Sequence, residues 1–245
     1  MDAAGQELSP CSEPKARELV AAGRAHILSE QPFAIQLAYV VNLPESSPPT
    51  VETERQGGRL LLHICCGPCA TYTTQRLREL GYDVTGLWYN PNIHPFSEHE
   101  RRQETLGQFA QQADLEVIAC EGYEMPEFLW RVVGHERYRE RCLICYEMRL
   151  RRTAQVAAER GFDAFTTTLL ISPYQDQAAI RRIGEELAEE MGVSFFFENL
   201  RRGFAEHHRM SRELNLYIQR YCGCIYSEWE ALDVSAPTHA PRKPR

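Results

Sequence analysis

Between positions 59 and 198, short apolar runs alternate with stretches of helical spacing. Arg59 to Cys65 (RLLLHIC) has the length and apolar density of a buried strand. Cys69 to Leu80 carries helical spacing and halts at Gly81, a helix stop signal. The pattern then predicts a strand over 82–89, a charged amphipathic helix over 97–112 and a short strand over 115–119. It continues with a helix over 142–160 ended by Gly161, a strand over 162–170, a helix over 176–191 and a strand over 193–198. Such alternation predicts an α/β fold with a mainly parallel sheet and helices on both faces.

Sheets of this kind bind ligands at the carboxyl ends of their strands. Three unusual loops fall there: Cys65-Cys66-Gly67-Pro68-Cys69, Asn90-Pro91-Asn92-Ile93-His94-Pro95, and Thr166-Thr167-Thr168 with Ser172-Pro173-Tyr174. Their common placement predicts one shared site.

The flanks carry less pattern. Residues 1–58 read as an appendage without recognisable chemistry, and 59–234 as the catalytic α/β domain. Ser12-Glu13-Pro14 predicts a short helix running towards Ser29, and residues 42–58, rich in Pro, Ser, Glu and Gly, predict a linker. The tail 235–245 is Pro-rich and basic, a composition of disordered chain.

At 245 residues the chain suits one domain plus an appendage, and 43% hydrophobic residues supply a core of normal size. No apolar run reaches the roughly 18 residues of a membrane span, and Met1 to Pro10 lacks the basic-then-apolar order of a secretion signal. The expectation is a cytoplasmic protein with no membrane partner. The net charge of −7 argues against an extended nucleic-acid footprint. Arginines nevertheless clump, at Arg101–Arg102, Arg149–Arg151–Arg152, Arg181–Arg182 and Arg201–Arg202. Arginine grips phosphate through a planar fork, but the ordinary reading of each clump is a solvated helix face paired with nearby Glu.

Nine cysteines in a reducing compartment point to metal ligation or redox catalysis. Seven fall into three groups: Cys65, Cys66 and Cys69; Cys142 and Cys145; Cys222 and Cys224. Cys11 and Cys120 stand alone and read as small buried hydrophobes. Cys66-Gly67-Pro68-Cys69 by itself has the form of a thioredoxin-type dithiol at a helix N-terminus. A thiol–disulfide oxidoreductase needs neither Cys65 nor the two further groups. A zinc-stabilised module uses four ligands, fewer than the seven available. An iron–sulfur cluster also takes four thiolates, leaving three for a neighbouring metal with an open position. Cys222-Gly223-Cys224 reads equally as a strained, reducible disulfide.

Other residues carry weaker signals. His63 lies on the first predicted strand and reads as packed or hydrogen-bonded; His94 and His99 have a surface role as the ordinary reading, with an acid role open. Asp163 reads as a strand-edge residue, while Trp88 and Tyr174 are candidates to stack on a base or to fill the core. There is no G-x-G-x-x-G and no Walker A motif, so nicotinamide and nucleoside-triphosphate sites have no support.

Taken together, LLHICCGPCATY, WYNPNIHP, ERCLICYEMRL, GFDAFTTTLLISPYQ and YCGCIYS, in this order over roughly Arg59 to Glu228, resemble the QueH-type epoxyqueuosine reductases. The resemblance implies a Rossmann-like fold related to adenine-nucleotide hydrolase-like (HUP) domains. It implies an oxidoreductase that reduces epoxyqueuosine to queuosine at the wobble position of tRNA, the last step of queuosine biosynthesis. The implied cofactor is a [4Fe–4S] cluster, with an adjacent mononuclear iron and no cobalamin; the electron donor is unspecified. Cys65, Cys66, Cys142 and Cys145 match the family's cluster cysteines. Cys222 and Cys224 match its C-x-C, a redox-active pair or metal ligands. Cys69 matches a position where some members have Asp, so all seven are candidate metal ligands. Gly67 stands where Ala is common. Tyr174, with His94 or a water, is a candidate acid for the departing epoxide oxygen.

Overall fold

The computed structural model describes residues 3, 13–31, 33–39 and 57–233. The predicted tail, Cys11 and most of the predicted linker lie outside these residues. The chain divides into two units, Met1–Glu54 and Arg55–Arg245.

In the first unit, helix α1 (Glu13–Ala21) is followed by an antiparallel hairpin of β1 (Ala25–Glu30) and β2 (Phe33–Leu37), with Ala25 opposite Leu37. The expected helix towards Ser29 therefore stops early. Gly23 takes φ +67°, a left-handed turn that breaks the helix, and the chain beyond it pairs as a strand.

The second unit holds the sheet. In chain order its elements are β3 (Arg59–His63), α2 (Gly67–Glu79), β4 (Asp83–Trp88), α3 (Phe96–Gln112), β5 (Val117–Ala119), α4 (Met125–Val132) and α5 (Glu140–Glu159). β6 (Ala164–Thr167), a 3₁₀ turn (Thr168–Ile171), α6 (Gln177–Met191) and β7 (Ser194–Phe195) follow. A second 3₁₀ turn (Leu200–Gly203), α7 (Phe204–Glu213) and α8 (Ile225–Leu232) close it. The strand order is β5-β4-β3-β6-β7, and every pair is parallel. The chain runs outward from β3 through β4 to β5, then returns to place β6 on the other side of β3. The order thus reverses between β3 and β6, and a crevice opens where loops leave the two strands in opposite directions.

Leu60, Leu61 and Leu62 of β3 are all fully buried, because helices cover both faces. Leu61 packs with Leu150 and Ala154 of α5 and Ile180 and Ile183 of α6. Leu60 and Leu62 point the other way, to Ala70 and Leu77 of α2 and Leu106 and Phe109 of α3. Asp163 sets the start of the β3–β6 pair: its Oδ2 accepts the Arg59 amide at 2.7 Å.

All five strands of the sheet are shorter than their predicted runs, the last two most of all. The 162–170 run yields a strand only at Ala164–Thr167, because Thr167 Oγ1 accepts the Leu169 amide at 3.1 Å and caps a 3₁₀ turn. The 193–198 run yields Ser194–Phe195, an edge strand paired only with β6. Helices α4, α7 and α8 were not foreseen. Among the described residues no helix is long and apolar enough to cross a membrane.

Candidate active site

Cys65 and Cys66 leave the end of β3 at the switch point, and Cys69 lies in the first turn of α2. Cys66 is the extended N-cap of that helix and Pro68 sits in its first turn, where a missing amide hydrogen is tolerated. The ligand atoms of the three residues lie within 4.8 Å of one another, with 3.8 Å between the Cys65 and Cys66 sulfurs. All three are buried. Thr168, just beyond β6, accepts the Cys65 amide at 3.1 Å and donates to Cys65 Sγ at 3.3 Å. Both sides of the switch point therefore meet at one sulfur.

The three thiols share their protons. Cys65 is held well below the ordinary thiol range, first by the hydrogen bond from Cys66, then by Cys69, against the effect of burial. Burial pushes Cys66 up to about 12, and the bond to Cys65 pushes Cys69 well up. An attacking dithiol cysteine needs the opposite shift at Cys66. The set instead offers one favoured thiolate among three soft donors.

The other four clustered cysteines face an adjoining cavity of about 720 Å³. Cys142 and Cys145 lie one turn apart at the start of α5, on one helix face. Cys222 and Cys224 flank Gly223 in the loop before α8. That loop is pinned by Arg102, whose Nη1 donates to Cys222 O at 2.9 Å, and by the His94 amide, which donates to Gly223 O at 2.8 Å. All four cysteines line the cavity, and so do Tyr174 and Gln219. Cys142 also packs against the apolar cluster containing Cys65, Cys66 and Cys69. Among the described residues only Cys65, Cys66 and Cys69 come close enough to share an ion as they stand. Burial pushes Cys142 up to about 12 and raises Cys145 and Cys224. The eight described cysteines are free thiols.

Nitrogen donors meet these sulfurs. Gln219 Nε2 donates to Cys66 Sγ at 3.0 Å, Gln175 Nε2 to Cys222 Sγ at 3.2 Å, and Arg149 Nη2 to Cys145 Sγ at 2.9 Å. Gln175 is itself oriented by the Tyr146 hydroxyl, 2.7 Å from its Oε1. Cys65, Cys66 and Cys69, buried thiols without a carboxylate in the group, suit soft metal chemistry, zinc or iron–sulfur, and not magnesium or calcium. Cys65, Cys66 and Cys69 therefore fit a metal or cluster, with further thiols available across the cavity.

Several sequence expectations change here. Arg102 and Arg149 are 1% exposed, not solvated helix faces; Arg102 pairs with Glu98 at 2.7 Å and Arg149 turns to sulfur. Arg181 and Arg182 do behave as expected, pairing with Glu185 and Glu186. His94 and His99 are buried rather than on the surface. His99 and Trp88 pack ring to ring at 5.2 Å, so Trp88 fills the core and takes no part in the cavity. His63 is hydrogen-bonded, as expected. Its Nε2–H donates to the Tyr89 carbonyl, 3.2 Å away, so its Nδ1 accepts from Thr167 Oγ1 at 2.9 Å. Cys120 is half-buried beside Arg152. Gln175 and Gln219 were not foreseen, since an isolated Gln carries no spacing signal.

Residues 60–230 match the protein-family model described as epoxyqueuosine reductase QueH, and residues 1–57 match one described as RRXRR protein. The chain is 40% identical over 172 residues to the epoxyqueuosine reductase QueH of Dehalococcoides mccartyi, spanning 70% of this chain and 93% of that one. It is 38% identical over 178 residues to the Thermotoga maritima protein of the same name, spanning 69% and 90%. With the Haemophilus influenzae protein, also of that name, the identity is 31% over 227 residues, spanning 90% and 88%. With the cysteine groups at the switch point and around the adjoining cavity, these matches establish that the chain belongs to the epoxyqueuosine reductase QueH family.

Proposed function

We propose that this protein reduces the epoxide of epoxyqueuosine in the tRNA anticodon to the alkene of queuosine, as the last step of queuosine biosynthesis in the cytoplasm. The observation that carries the reading is the family match over residues 60–230, which spans all seven clustered cysteines. Loss of the epoxide oxygen takes two electrons and two protons and releases water. The electrons come from an external donor. In this reading Cys65, Cys66, Cys142 and Cys145 hold a [4Fe–4S] cluster, and Cys69, Cys222 and Cys224 are free to hold an adjacent iron. When bound, these groups supply single electrons and Lewis acidity.

The chain's own residues bind, orient and protonate. Tyr174 is half-buried at the cavity, with its ring against Phe204 at 6.0 Å, and Tyr138 donates to its carbonyl at 3.2 Å. Its hydroxyl is the proposed proton source for the departing oxygen. Tyr174 and Phe204 also offer aromatic faces to a base that has left its stack, and the exposed Arg220 beside them suits a phosphate. Cys222 and Cys224 serve as iron ligands or as a thiol pair that cycles through a disulfide.

The test is anaerobic purification with iron and sulfide analysis, an ultraviolet–visible spectrum, and an assay on epoxyqueuosine tRNA. The expected protein is brown, bleached by dithionite and active. Cys142→Ser and Cys145→Ser lose iron and turnover together, while Cys69→Asp keeps iron. A colourless protein that holds only zinc after iron and sulfide reconstitution, and turns nothing over, sinks the reductase and favours a zinc-stabilised tRNA-binding module.

A further inference from the structure

Asn92 is 1% exposed and lines the cavity, yet neither its Nδ2 nor its Oδ1 has a hydrogen-bond partner. Burying an amide with both ends unbonded is destabilising, so a group in this state beside a cavity wants a ligand. Its backbone is held in place, because its loop is fixed on both sides. Asn90 Nδ2 donates to Ile64 O at 2.8 Å, the Ile93 amide to Asn90 O at 3.2 Å, and the His94 amide to Gly223 O at 2.8 Å. The Tyr123 hydroxyl donates to the Ile93 carbonyl. Gly223 closes the other side: a Cβ there would stand 3.2 Å from Asn92 Nδ2. Gln219, which also lines the cavity, uses its Nε2 on Cys66 Sγ and leaves Oε1 without a partner.

The two side chains thus hold one unpaired NH₂ and two unpaired carbonyl oxygens beneath the cavity lining, and a rotation of each side chain brings them to a ligand. We infer that Asn92 reads the pairing edge of the substrate base, with Gln219 as its second acceptor. This rests on the proposed reductase function. A guanine-type edge, which the 7-deazaguanine of epoxyqueuosine retains, offers a carbonyl acceptor, a ring N–H and an exocyclic NH₂. The Asn92 amide nitrogen donates to the carbonyl, its oxygen accepts the ring N–H, and Gln219 Oε1 accepts from the exocyclic amine. Adenine offers a donor where guanine offers the carbonyl, and an acceptor where guanine offers the ring N–H. The same pocket therefore rejects it.

The test uses the iron-loaded full chain. Asn92→Ala and the milder Asn92→Ser are checked first for iron content, then for kcat and KM on epoxyqueuosine tRNA. Binding of anticodon stem-loops with guanine or adenine at the wobble position is measured in parallel. The expected result is unchanged iron, a KM raised about tenfold or more, as for loss of one bidentate base contact, and loss of the wild-type preference for guanine. An unchanged KM or an unchanged preference in iron-loaded variants overturns the assignment. Loss of iron in both variants overturns it too, by making Asn92 a support of the metal. If the wild type fails to reduce epoxyqueuosine tRNA, the reductase reading falls, and the stem-loop preferences still decide the role of Asn92.

Discussion

Arg102 reaches from α3 to the Cys222 carbonyl, 2.9 Å from its Nη1, and so fastens the C-x-C loop to the helix that follows the second strand of the sheet domain. Its other nitrogens are occupied as well, on Tyr221 O at 3.2 Å and Glu98 Oε1 at 2.7 Å. Glu98 is buried and also accepts from the Tyr217 hydroxyl at 2.9 Å. Removing only the cation leaves a buried carboxylate without its partner, which costs about 3–5 kcal/mol. Arg102→Leu is expected to lose stability on that scale in urea unfolding and to release iron faster to a chelator. Adding Glu98→Gln should restore part of the stability while the loop stays loose. Equal iron release in wild type and Arg102→Leu would show that the carbonyl bond does not hold the loop.

Arg149 is a buried cation whose electrostatic neighbours are Cys145 first, then Cys222 and Cys65, with Tyr146 after them. Its Nη2 lies 2.9 Å from Cys145 Sγ. A fixed positive charge favours thiolate, the form that binds metal. With Cys145 as a cluster ligand, as proposed, Arg149→Met is expected to lower iron loading or activity by about 10–100-fold at neutral pH, the usual loss for a partner of a metal ligand. Reconstitution at higher pH should recover part of the loading. A variant that loads iron like wild type at every pH would assign Arg149 to packing alone.

The apolar runs carried the sheet because strands buried on both faces must be apolar throughout, as Leu60 to Leu62 are. Gly81 and Gly161 marked helix ends for a local reason, their positive φ of 89° and 67°. The cysteine groups were visible because sulfur is rare and its spacing is informative. Arg102 and Arg149 were not, since a charged residue in a helix looks the same whether it meets water or a buried sulfur. The helices α7 and α8 were missed because few of their residues are buried, leaving a weak apolar stripe. The gathering of Asn92, Gln175 and Gln219 on one cavity depends on long-range packing that no local pattern records.

Gly67 lets α2 approach α3. A Cβ placed there would stand 2.8 Å from the Thr105 carbonyl oxygen and 3.0 Å from its Cγ2. The carbonyl belongs to a helix and cannot swing aside, so α2 must shift for Ala to fit. Gly67→Ala is expected to cost about 1–3 kcal/mol, the usual range for overpacking. Because Cys66 is the N-cap of the same helix and Cys69 lies in its first turn, the shift should also alter the spectrum of the proposed cluster. Unchanged stability together with an unchanged spectrum would mean that the two helices separate without effort.

His99 should make stability fall in mild acid. It is buried among rings, with Tyr123 at 4.5 Å and Trp88 at 5.2 Å, and its Nδ1 has no hydrogen-bond partner. Burial first, then the charges of His94 and Arg102, hold its pKa at about 4 against an ordinary 6.5. In the window between those values the unfolded chain takes up the proton and the folded chain does not. The contribution of His99 to stability is therefore complete above about pH 6.5 and is lost as pH falls towards 4. Each tenfold difference in proton affinity between the folded and unfolded chain is worth about 1.4 kcal/mol, so the loss from pH 7 to pH 4.5 is about 2 kcal/mol. Carboxylates titrate in the same range, so the comparison is with His99→Phe, which keeps the ring packing and cannot take the proton. Urea unfolding at the two pH values should show a smaller acid loss in the variant by about that amount. Identical pH profiles for the two proteins would mean that His99 accepts its proton in place, and that the ring cluster opens to water well above pH 4.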